Sequence, residues 1–395
     1  MKPKTLYLSY TGLLEPLGRS QVLAYLSRLS SQYSITLITF EKEADLLDKN
    51  ELDLLQQECI ENDLNWKILK YHKHPLIIST LYDFFVLFIA TCSECFKNNI
   101  KLIHSRSYIT STVAWLAGKI TRTPFLFDMR ALWLNELIDA GKLRNGSIPY
   151  RALRFIEKKL LLDADAVVSL TEAAVPYIKE KNPQVDIRKF TVIPTCVDLS
   201  RFQIDFQKSN KKFRIGTIGS VLSGWFLTDE FQAFIEIAFQ HYPETVPTIV
   251  TKDEFNDVSA CFQSNQIDWD IFSTRPSHVS MTLNEFLFAA LFFTPGDSKI
   301  GSAPTRLGEI LACGIPVICN NSVGDMAKIV NKYNVGIVIE DFSESGLKKA
   351  LVGVSNLLLD PQFHSRCSLC VENEFSLEKG VQLYKKIYSE LVCDL

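Results

Sequence analysis

The alternation of short apolar runs with longer helical stretches is the feature that most limits how this chain can fold. In the first half, runs rich in β-branched and aromatic residues alternate with stretches whose apolar residues recur at helical spacing. This pattern is typical of a parallel sheet wrapped by helices. The predicted strands are 6–9, 35–40, 102–104, 125–127, 167–170 and 191–193, and the predicted helices lie near 20–31, 78–97, 108–120, 150–162 and 172–181.

The second half repeats the alternation, which predicts a second doubly wound α/β domain. A single core rarely grows beyond roughly 250 to 300 residues, and this chain has 395. We therefore expect domains at 1–205 and 206–375 that share a ligand-binding cleft, with the polar stretch 203–212 as their linker. The predicted strands of the second domain are 213–218, 248–250, 291–293, 316–319 and 336–339.

Composition excludes some classes of function. The chain is 47% apolar and 22% charged, as in globular proteins, and its net charge of -3 argues against a general nucleic-acid partner. The N-terminal sequence MKPKTLYLSY passes directly into a predicted strand and does not resemble a secretion signal. Ten cysteines without an export signal then indicate a reducing, cytoplasmic location.

Two cysteine pairs have the spacing of zinc ligands. Cys92/Cys95 and Cys367/Cys370 are both C-x-x-C pairs. Each pair lies in a stretch predicted to be helical, whereas structural zinc sites take their paired ligands from compact turns. We interpret them as packing cysteines.

The stretch 76–92 is nearly uniformly apolar and leaves two interpretations open. It is short for a membrane span, which needs about 20 apolar residues, and it contains Asp83. It is either a core helix of the first domain or a helix that lies against an anionic membrane surface. Basic residues precede it at Lys67, Lys70, His72, Lys73 and His74.

The sequence SAPTRLGEILACGIPVI at 302–318 predicts a loop, a short helix and a buried strand. Ser302, Pro304 and Thr305 favour a rigid turn and a helix start whose N–H groups and dipole attract an anion. Arg306 adds a positive charge there, and Gly314 is placed to end the helix. The segment therefore predicts a phosphate-binding unit.

Glu309 interrupts the otherwise core-facing side of that helix. It follows the apolar Leu307 and precedes Ile310 and Leu311, which share one face at helical spacing. A carboxylate accepts hydrogen bonds well, so a partner such as a ribose diol would explain it.

Gly18 and Arg19 stand between the first predicted strand and the first predicted helix. A glycine there permits close backbone approach, and helix N–H groups there can face a diphosphate. An ordinary strand-to-helix turn with a solvated arginine is the alternative.

Four segments in chain order carry a resemblance to a known family. They are EPLGRSQVLAYL at 15–26, FDMRALW at 127–133, VIPTCVDLSRF at 192–202 and the motif at 302–318. With them the chain resembles the family 4 glycosyltransferases of the GT-B fold, in the branch that builds bacterial surface polysaccharides. The resemblance implies two Rossmann-like domains facing a nucleotide-sugar cleft, the third segment ending the first domain, and a helix at 376–395 packing back on the N-terminal domain.

The resemblance implies a donor site around the motif at 302–318. Glu309 matches the second glutamate of the family's E-x7-E motif, which hydrogen-bonds the ribose of the donor. Gly301 stands where the first glutamate is expected, so that role would pass to backbone amides of 301–303, to Lys299 or to another segment.

A second departure concerns the charge that neutralises the donor diphosphate. The turn GTIGSVLSGWF after the first strand of the second domain lacks the basic residues of many relatives. Because phosphates left unneutralised in a closed site would be costly, other cations should point inward. The predicted donor-binding residues are Gly18, Arg19, Gly219, Ser220, Lys252, Lys299, Gly301, Ser302, Thr305, Arg306 and Glu309.

A polar group follows the ends of two predicted parallel strands, where open α/β sheets place ligands. We assign Arg106, Asp128, Arg130 and Glu136 to acceptor binding. A buried structural ion pair is the alternative for Asp128 and Arg130. The candidates nearest to the chemistry are Glu309, Arg306 and His104.

The resemblance implies transfer of a sugar from a nucleotide-diphosphate sugar to a hydroxyl of a glycan or lipid-linked glycan, with retention, in lipopolysaccharide or capsule synthesis. It implies no metal cofactor, and the D-x-D sequences at 163–165 and 268–270 are interpreted as structural. Expected partners are the nucleotide sugar, the glycan acceptor and the inner membrane surface, with no nucleic acid. A sugar-nucleotide epimerase and a degenerate nucleotide-sugar-binding subunit without turnover remain alternatives.

Overall fold

A computed structural model describes residues 2–205 and 213–393 of the chain, and most of the predicted linker 203–212 lies outside the described residues. The chain divides into two compact units. One comprises Met1–Pro194 together with Leu377–Leu395, and the other is Thr195–Ser376. The chain therefore enters the second unit after Pro194, before the predicted boundary at 205, and its C-terminal segment groups with the first unit.

The first unit is built on a seven-stranded parallel sheet with the order β3-β2-β1-β4-β5-β6-β7. The strands are β1 Lys4–Ser9, β2 Ser34–Glu41, β3 Leu64–Lys70, β4 Leu102–Arg106, β5 Phe125–Asp128, β6 Ala166–Ser169 and β7 Phe190–Val192. The sequence did not predict β3. It lies at the sheet edge and reads LNWKILK, half-buried and rich in polar residues, so it lacks the apolar run of a central strand.

Helices connect the strands of this sheet. They are α1 Pro16–Gly18, α2 Ala24–Leu29, α3 Glu43–Leu46, α4 Lys49–Glu61, α5 Leu76–Asn98, α6 Tyr108–Thr121, α7 Trp133–Asp139, α8 Ile148–Asp163 and α9 Ala174–Lys181. A π-helical turn, Arg19–Leu23, joins α1 to α2. Asp48 caps α4 by accepting the Glu51 N–H at 3.1 Å, and Ser147 caps α8 by accepting the Tyr150 N–H at 3.3 Å.

The second unit is built on a six-stranded parallel sheet with the order β10-β9-β8-β11-β12-β13. Its strands are β8 Arg214–Ile218, β9 Val246–Val250, β10 Asp270–Phe272, β11 Phe286–Leu291, β12 Val317–Asn320 and β13 Gly336–Ile339. The predicted strand at 291–293 is wrong in position. The run FLFAALFF is apolar throughout, so its sequence does not mark where the strand ends. The three-residue edge strand β10 was not predicted.

The helices of the second unit are α10 Thr228–His241, α11 Phe255–Cys261, α12 Val279–Leu283, α13 Thr305–Ala312, α14 Met326–Tyr333, α15 Glu344–Leu359 and α16 Phe363–Cys370. Leu307, Ile310 and Leu311 of α13 are buried in the core beside β12, as their spacing predicts. Gly314 follows α13 with a φ of 69°, the left-handed conformation that ends helices. The two C-x-x-C pairs lie on α5 and α16, and their thiols are free.

The last helix, α17 Leu377–Cys393, packs in the first unit. Glu378 pairs with Arg28 of α2 at 3.3 Å, and the Tyr384 ring contacts that of Tyr25 with centroids 5.5 Å apart. Tyr388 is fully buried. The C-terminal helix thus completes the core of the first unit, and the two parallel sheets confirm the predicted doubly wound α/β class.

Candidate functional site

The N-terminus of α13 forms the centre of the candidate donor site. Pro304 precedes the helix in an extended conformation, and Thr305 is its first residue. The first N–H groups of an α-helix have no acceptor within the helix, and the helix dipole there favours negative charge. The Leu307 N–H donates to Pro304 O at 3.1 Å, which closes the first turn.

Glu309 lies one turn into α13 and is buried, with 8% of its surface exposed. The Arg306 guanidinium hydrogen-bonds its carboxylate. Burial raises the pKa of Glu309 above its usual value, although the charges of Arg306 and Arg201 oppose this rise. The negative charge of this buried carboxylate is therefore only partly compensated by the neighbouring arginines.

The segment that follows Pro194 packs against α13 in the same unit. The Thr195 hydroxyl donates to Ala303 O at 3.0 Å, and a Cβ on Gly308 would lie 2.8 Å from Val197 Cγ2. A side chain at Gly308 would therefore require Val197 or its neighbours to shift. Most of the motif at 192–202 therefore belongs to the second unit, where it packs against α13. The resemblance had placed this motif at the end of the first domain.

The predicted turn at Gly219 lies beside Arg306. Gly219 has a φ of 137°, which favours glycine, and a Cβ built there would lie 3.9 Å from Arg306 Cγ. The Ser220 hydroxyl donates to Asp253 at 2.8 Å, and the same carboxylate accepts the Val221 and Leu222 N–H groups at 2.7 and 3.0 Å.

Asp253 organises this turn, and sequence reasoning missed it. Partial burial favours the neutral acid, but the hydrogen bonds from the turn lower the pKa of Asp253 below its usual value. Its position just after β9, at the carboxyl end of a parallel strand, is the signal that could have identified it.

The basic residues of the second unit differ in placement. Lys299 is buried in the 3₁₀ turn Asp297–Gly301, with its Nζ 3.7 Å from the centroid of the Trp225 ring. Gly301 ends that turn, and the Ser302 N–H donates to Lys299 O at 3.0 Å. Lys252 is exposed. Of these basic residues, Lys299 and Arg306 therefore lie at the candidate donor site.

The loop before α1 is held by backbone contacts. A Cβ on Gly18 would lie 1.9 Å from Gly12 O, so the glycine is needed for close packing of the helix start on the loop. Glu41, which the sequence did not single out, accepts the Leu13 N–H at 2.7 Å. Arg19 pairs with Glu51 of α4.

Two of the residues predicted to bind the acceptor, Asp128 and Arg130, form a network with His104 beneath α17. The Tyr384 hydroxyl donates to Asp128 at 3.0 Å, and His104 Nδ1 lies 2.8 Å from the Tyr388 hydroxyl. His104 Nε2 and Arg130 Nη1 each lie 3.5 Å from an Asp128 oxygen. Because His104 and Asp128 are buried by the unit's own last helix, this geometry favours the structural ion pair over an open acceptor site.

Two residues with strained backbones, one of them within this network, lie at adjacent strand ends. Ser107 after β4 has a φ of 73°, and Arg130 after β5 has a φ of 59°. Such conformations are unfavourable for residues other than glycine and persist only where the surroundings enforce them. Within the described ranges, Arg106 Nη1 and Arg130 Nε are buried without a hydrogen-bond partner. The remaining predicted residue, Glu136, lies on α7.

Three of the four D-x-D carboxylates are engaged in structural contacts. Asp163 accepts from the Trp115 indole at 2.8 Å and pairs with Lys119. Asp165 accepts the Phe125 N–H at 2.9 Å, and Asp270 pairs with Arg214 at 2.5 Å.

Comparison with known proteins places this geometry in a fold family. Residues 88–196 match the family model described as a glycosyl transferase 4-like domain. The fold is that of the GT-B glycosyltransferases. No curated protein matches the sequence significantly.

Three solved structures illustrate the likeness. A glycosyltransferase from Rickettsia africae is 15% identical with a TM-score of 0.70, and 99% of each chain is covered. Anabaena HepE in complex with UDP and glucose is 15% identical with a TM-score of 0.66, covering 98% of this chain and 99% of HepE. WaaG, a glycosyltransferase involved in lipopolysaccharide biosynthesis, is 14% identical with a TM-score of 0.65, covering 96% and 99%.

Proposed function

We propose that this GT-B chain is a glycosyltransferase that moves a sugar from a nucleotide-diphosphate sugar to a hydroxyl of a glycan or lipid-linked glycan. The observation that carries the proposal is the buried Glu309 at the start of α13, beside Arg306 and the Gly219 turn. The glycosyl transferase 4-like match at 88–196 supports the same class of reaction. The likeness to HepE in complex with UDP and glucose supports a nucleotide-sugar donor.

Donor binding follows from the chemistry of these groups. The Glu309 carboxylate accepts hydrogen bonds from both ribose hydroxyls, a task for which an ionised acceptor is well suited. The N–H groups at the start of α13 and the Arg306 guanidinium bind the diphosphate. Arg306 has a second role in the free protein, because its pairing with Glu309 favours the ionised carboxylate against the effect of burial.

In the transfer step, negative charge develops on the departing diphosphate and must be stabilised. The bond between the anomeric carbon and the diphosphate oxygen breaks as the acceptor oxygen attacks the same face of the sugar. The acceptor proton passes to the departing diphosphate, whose growing charge is stabilised by backbone amides and cations. This route retains the anomeric configuration and needs no base or metal from the protein.

The acceptor belongs to surface polysaccharide synthesis in this proposal. Its support is the likeness to WaaG, which is involved in lipopolysaccharide biosynthesis, and the family resemblance of the four sequence segments. We place the enzyme in the cytoplasm, where the reduced state expected of its thiols would persist.

A nucleotide-sugar-binding subunit without turnover is the second candidate. Two observations favour it: Gly301 occupies the position of an expected glutamate, and the turn at 216–226 has no basic residue. It predicts donor binding without product under any acceptor.

Donor screening tests the proposal. Thermal unfolding would be followed with UDP, GDP and TDP sugars, because a ligand at a hundred times its Kd stabilises the folded state by about 2.7 kcal/mol. The stabilising donor is then incubated with and without glycan acceptors. Transfer to an acceptor supports the enzyme, conversion of the donor alone identifies an epimerase, and binding without either product identifies the binding subunit.

A further inference from the structure

Helix α5 presents an apolar face to solvent. Ile77, Phe85, Ile89 and Phe96 have 75%, 59%, 67% and 67% of their surfaces exposed. At 100° per residue, the exposed large apolar residues of this helix fall on one side. This outer stripe consists of Ile77, Ile78, Leu81, Tyr82, Phe85, Ile89 and Phe96.

The opposite face of α5 is partly polar and is anchored to the first unit. Asp83 accepts from the Tyr10 hydroxyl at 3.0 Å and lies 2.6 Å from His72 Nδ1. Glu94 pairs with Lys67 at 2.5 Å. The orientation is the reverse of a surface helix in a soluble protein, which buries its apolar stripe and exposes its charges.

The exposed charged side chains in the segment that contains the outer stripe are basic. In residues 71–101, the only acidic side chains are Asp83 and Glu94, and both are buried. Lys73 and His74 before the helix and Lys97 near its end are exposed. An apolar stripe with cations at both ends and no exposed acid within 71–101 complements an anionic lipid surface.

We propose that α5 docks this protein onto an anionic lipid bilayer, lying in the headgroup region with its outer stripe toward the acyl chains. By length and apolar composition alone, Ile77–Asn98 could also cross a membrane. Crossing would remove Asp83 and Glu94 from their partners and place them in hydrocarbon, which is costly. Their contacts therefore support a helix that lies on the membrane while the first unit stays folded above it.

A vesicle-binding assay with paired variants tests this docking. The full chain is sedimented with vesicles of phosphatidylcholine alone, or with about a third phosphatidylglycerol, because anionic lipid should strengthen binding. The Phe85→Glu/Ile89→Glu variant should bind the anionic vesicles at least about tenfold more weakly, because it places charges on the stripe.

Helix α4 supplies the matched control. Right-handed crossovers place α4, between β2 and β3, and α5, between β3 and β4, on opposite faces of the sheet, because the two connections run in opposite directions. Leu54 and Ile60 of α4 are 67% and 69% exposed. The Leu54→Glu/Ile60→Glu variant should bind vesicles like the original protein.

The other occupants of the stripe give different outcomes. Resistance to extraction by alkaline carbonate would show that the protein spans the membrane. If the protein instead elutes as a dimer, does not bind vesicles, and becomes monomeric in the Phe85→Glu/Ile89→Glu variant, the stripe serves self-association. Either result overturns the proposal, as does equal loss of binding in both double variants. If the stripe variant fails to fold by circular dichroism, Lys73→Glu/Lys97→Glu replaces it, and unchanged binding to anionic vesicles then overturns the proposal.

This inference is independent of sugar transfer. Thermal stabilisation by a nucleotide sugar should be the same in the stripe variant and the original protein, since none of the predicted donor-binding residues lies on α5. Loss of vesicle binding with intact donor binding therefore separates membrane docking from the proposed reaction.

Discussion

Asp128 in the first unit and Glu309 in the second are both buried carboxylates beside an arginine, yet their acidities are shifted in opposite directions. At Asp128, burial favours the neutral acid, but Arg130, His104 and Arg106 outweigh it and lower the pKa to about 2. At Glu309, burial outweighs the arginines and raises the pKa above its usual value. The two shifts differ because the cations around Asp128 compensate its negative charge more completely than the arginines near Glu309 compensate that of Glu309.

The difference separates a structural carboxylate from a ligand-binding one. Tyr384, His104 and Arg130 surround Asp128, so its acceptor capacity is used by the protein itself. Among the described residues, Arg306 alone hydrogen-bonds the Glu309 carboxylate. A ligand that donates hydroxyl groups would complete the surroundings of Glu309, whereas it would have to displace existing partners at Asp128.

The largest expected effect is on stability. Asp128→Asn should lower the free energy of unfolding by about 3 to 5 kcal/mol, because it leaves the buried cations of the network without their counter-charge. Urea unfolding of the two proteins measures the change. A loss below about 1 kcal/mol would contradict the structural role and return Asp128 to acceptor binding.

Glu309→Ala should act on donor binding instead. Losing two hydrogen bonds to a charged acceptor, each contributing about 1.5 to 3 kcal/mol, should weaken binding of the donor about a hundredfold or more. Isothermal titration with the donor identified by screening measures it. Glu344→Ala, which removes an exposed carboxylate of α15 paired with Lys348, is the control and should bind normally. Near-normal donor binding by Glu309→Ala would refute its assignment.

Protonation of the two carboxylates at low pH should change the stability of the folded state in opposite directions. The pKa of Asp128 is depressed in the folded state, so its contribution, about 2 kcal/mol, is present above pH 4 and is lost as pH falls toward 2. The raised pKa of Glu309 means that protonation favours the folded state but removes the form that accepts ribose hydroxyls. Donor binding should therefore weaken at a higher pH than the stability lost through Asp128, as titrations of both properties would show.

Arg19→Ala should have the smallest effect. Its pair with Glu51 is over a third exposed on both sides, and such pairs contribute about 0 to 1 kcal/mol. If donor affinity nevertheless falls more than tenfold while urea unfolding is unchanged, Arg19 contacts the diphosphate, as the resemblance implies. Unchanged donor affinity would identify it as a surface ion pair.

The fold was largely predictable because central parallel strands are apolar runs between helical stretches. The edge strands β3 and β10 were missed for the converse reason, since half-buried edges retain polar residues. The position of β11 was wrong because the run FLFAALFF stays apolar past the end of the strand at Leu291. The burial of α13 and its end at Gly314 were predictable from local spacing and one glycine.

The candidate site was predictable in its residue types but not in its contacts. Glu309, Arg306 and the Gly219 turn were identified from motifs, and the structure brings them together. Asp253 and Glu41 were missed because each orients a loop through backbone N–H groups, and such bonds leave little trace in sequence. The interpretation of 76–92 as a core helix was wrong in one respect, because the large apolar residues on one side of α5 are exposed rather than buried.

The sequence by itself determined the doubly wound architecture, the anion-attracting start of α13 and the unusual glutamate within it, because these depend on local periodicity and residue type. Only the tertiary structure decided which polar residues are buried by their own unit. His104 and Asp128 are covered by a helix more than 240 positions later in the chain, and α5 turns its polar side inward because Tyr10, His72 and Lys67 bind it there. Solvation and pairing of charge depend on such distant neighbours, so the roles of equivalent-looking carboxylates emerge only in the folded chain.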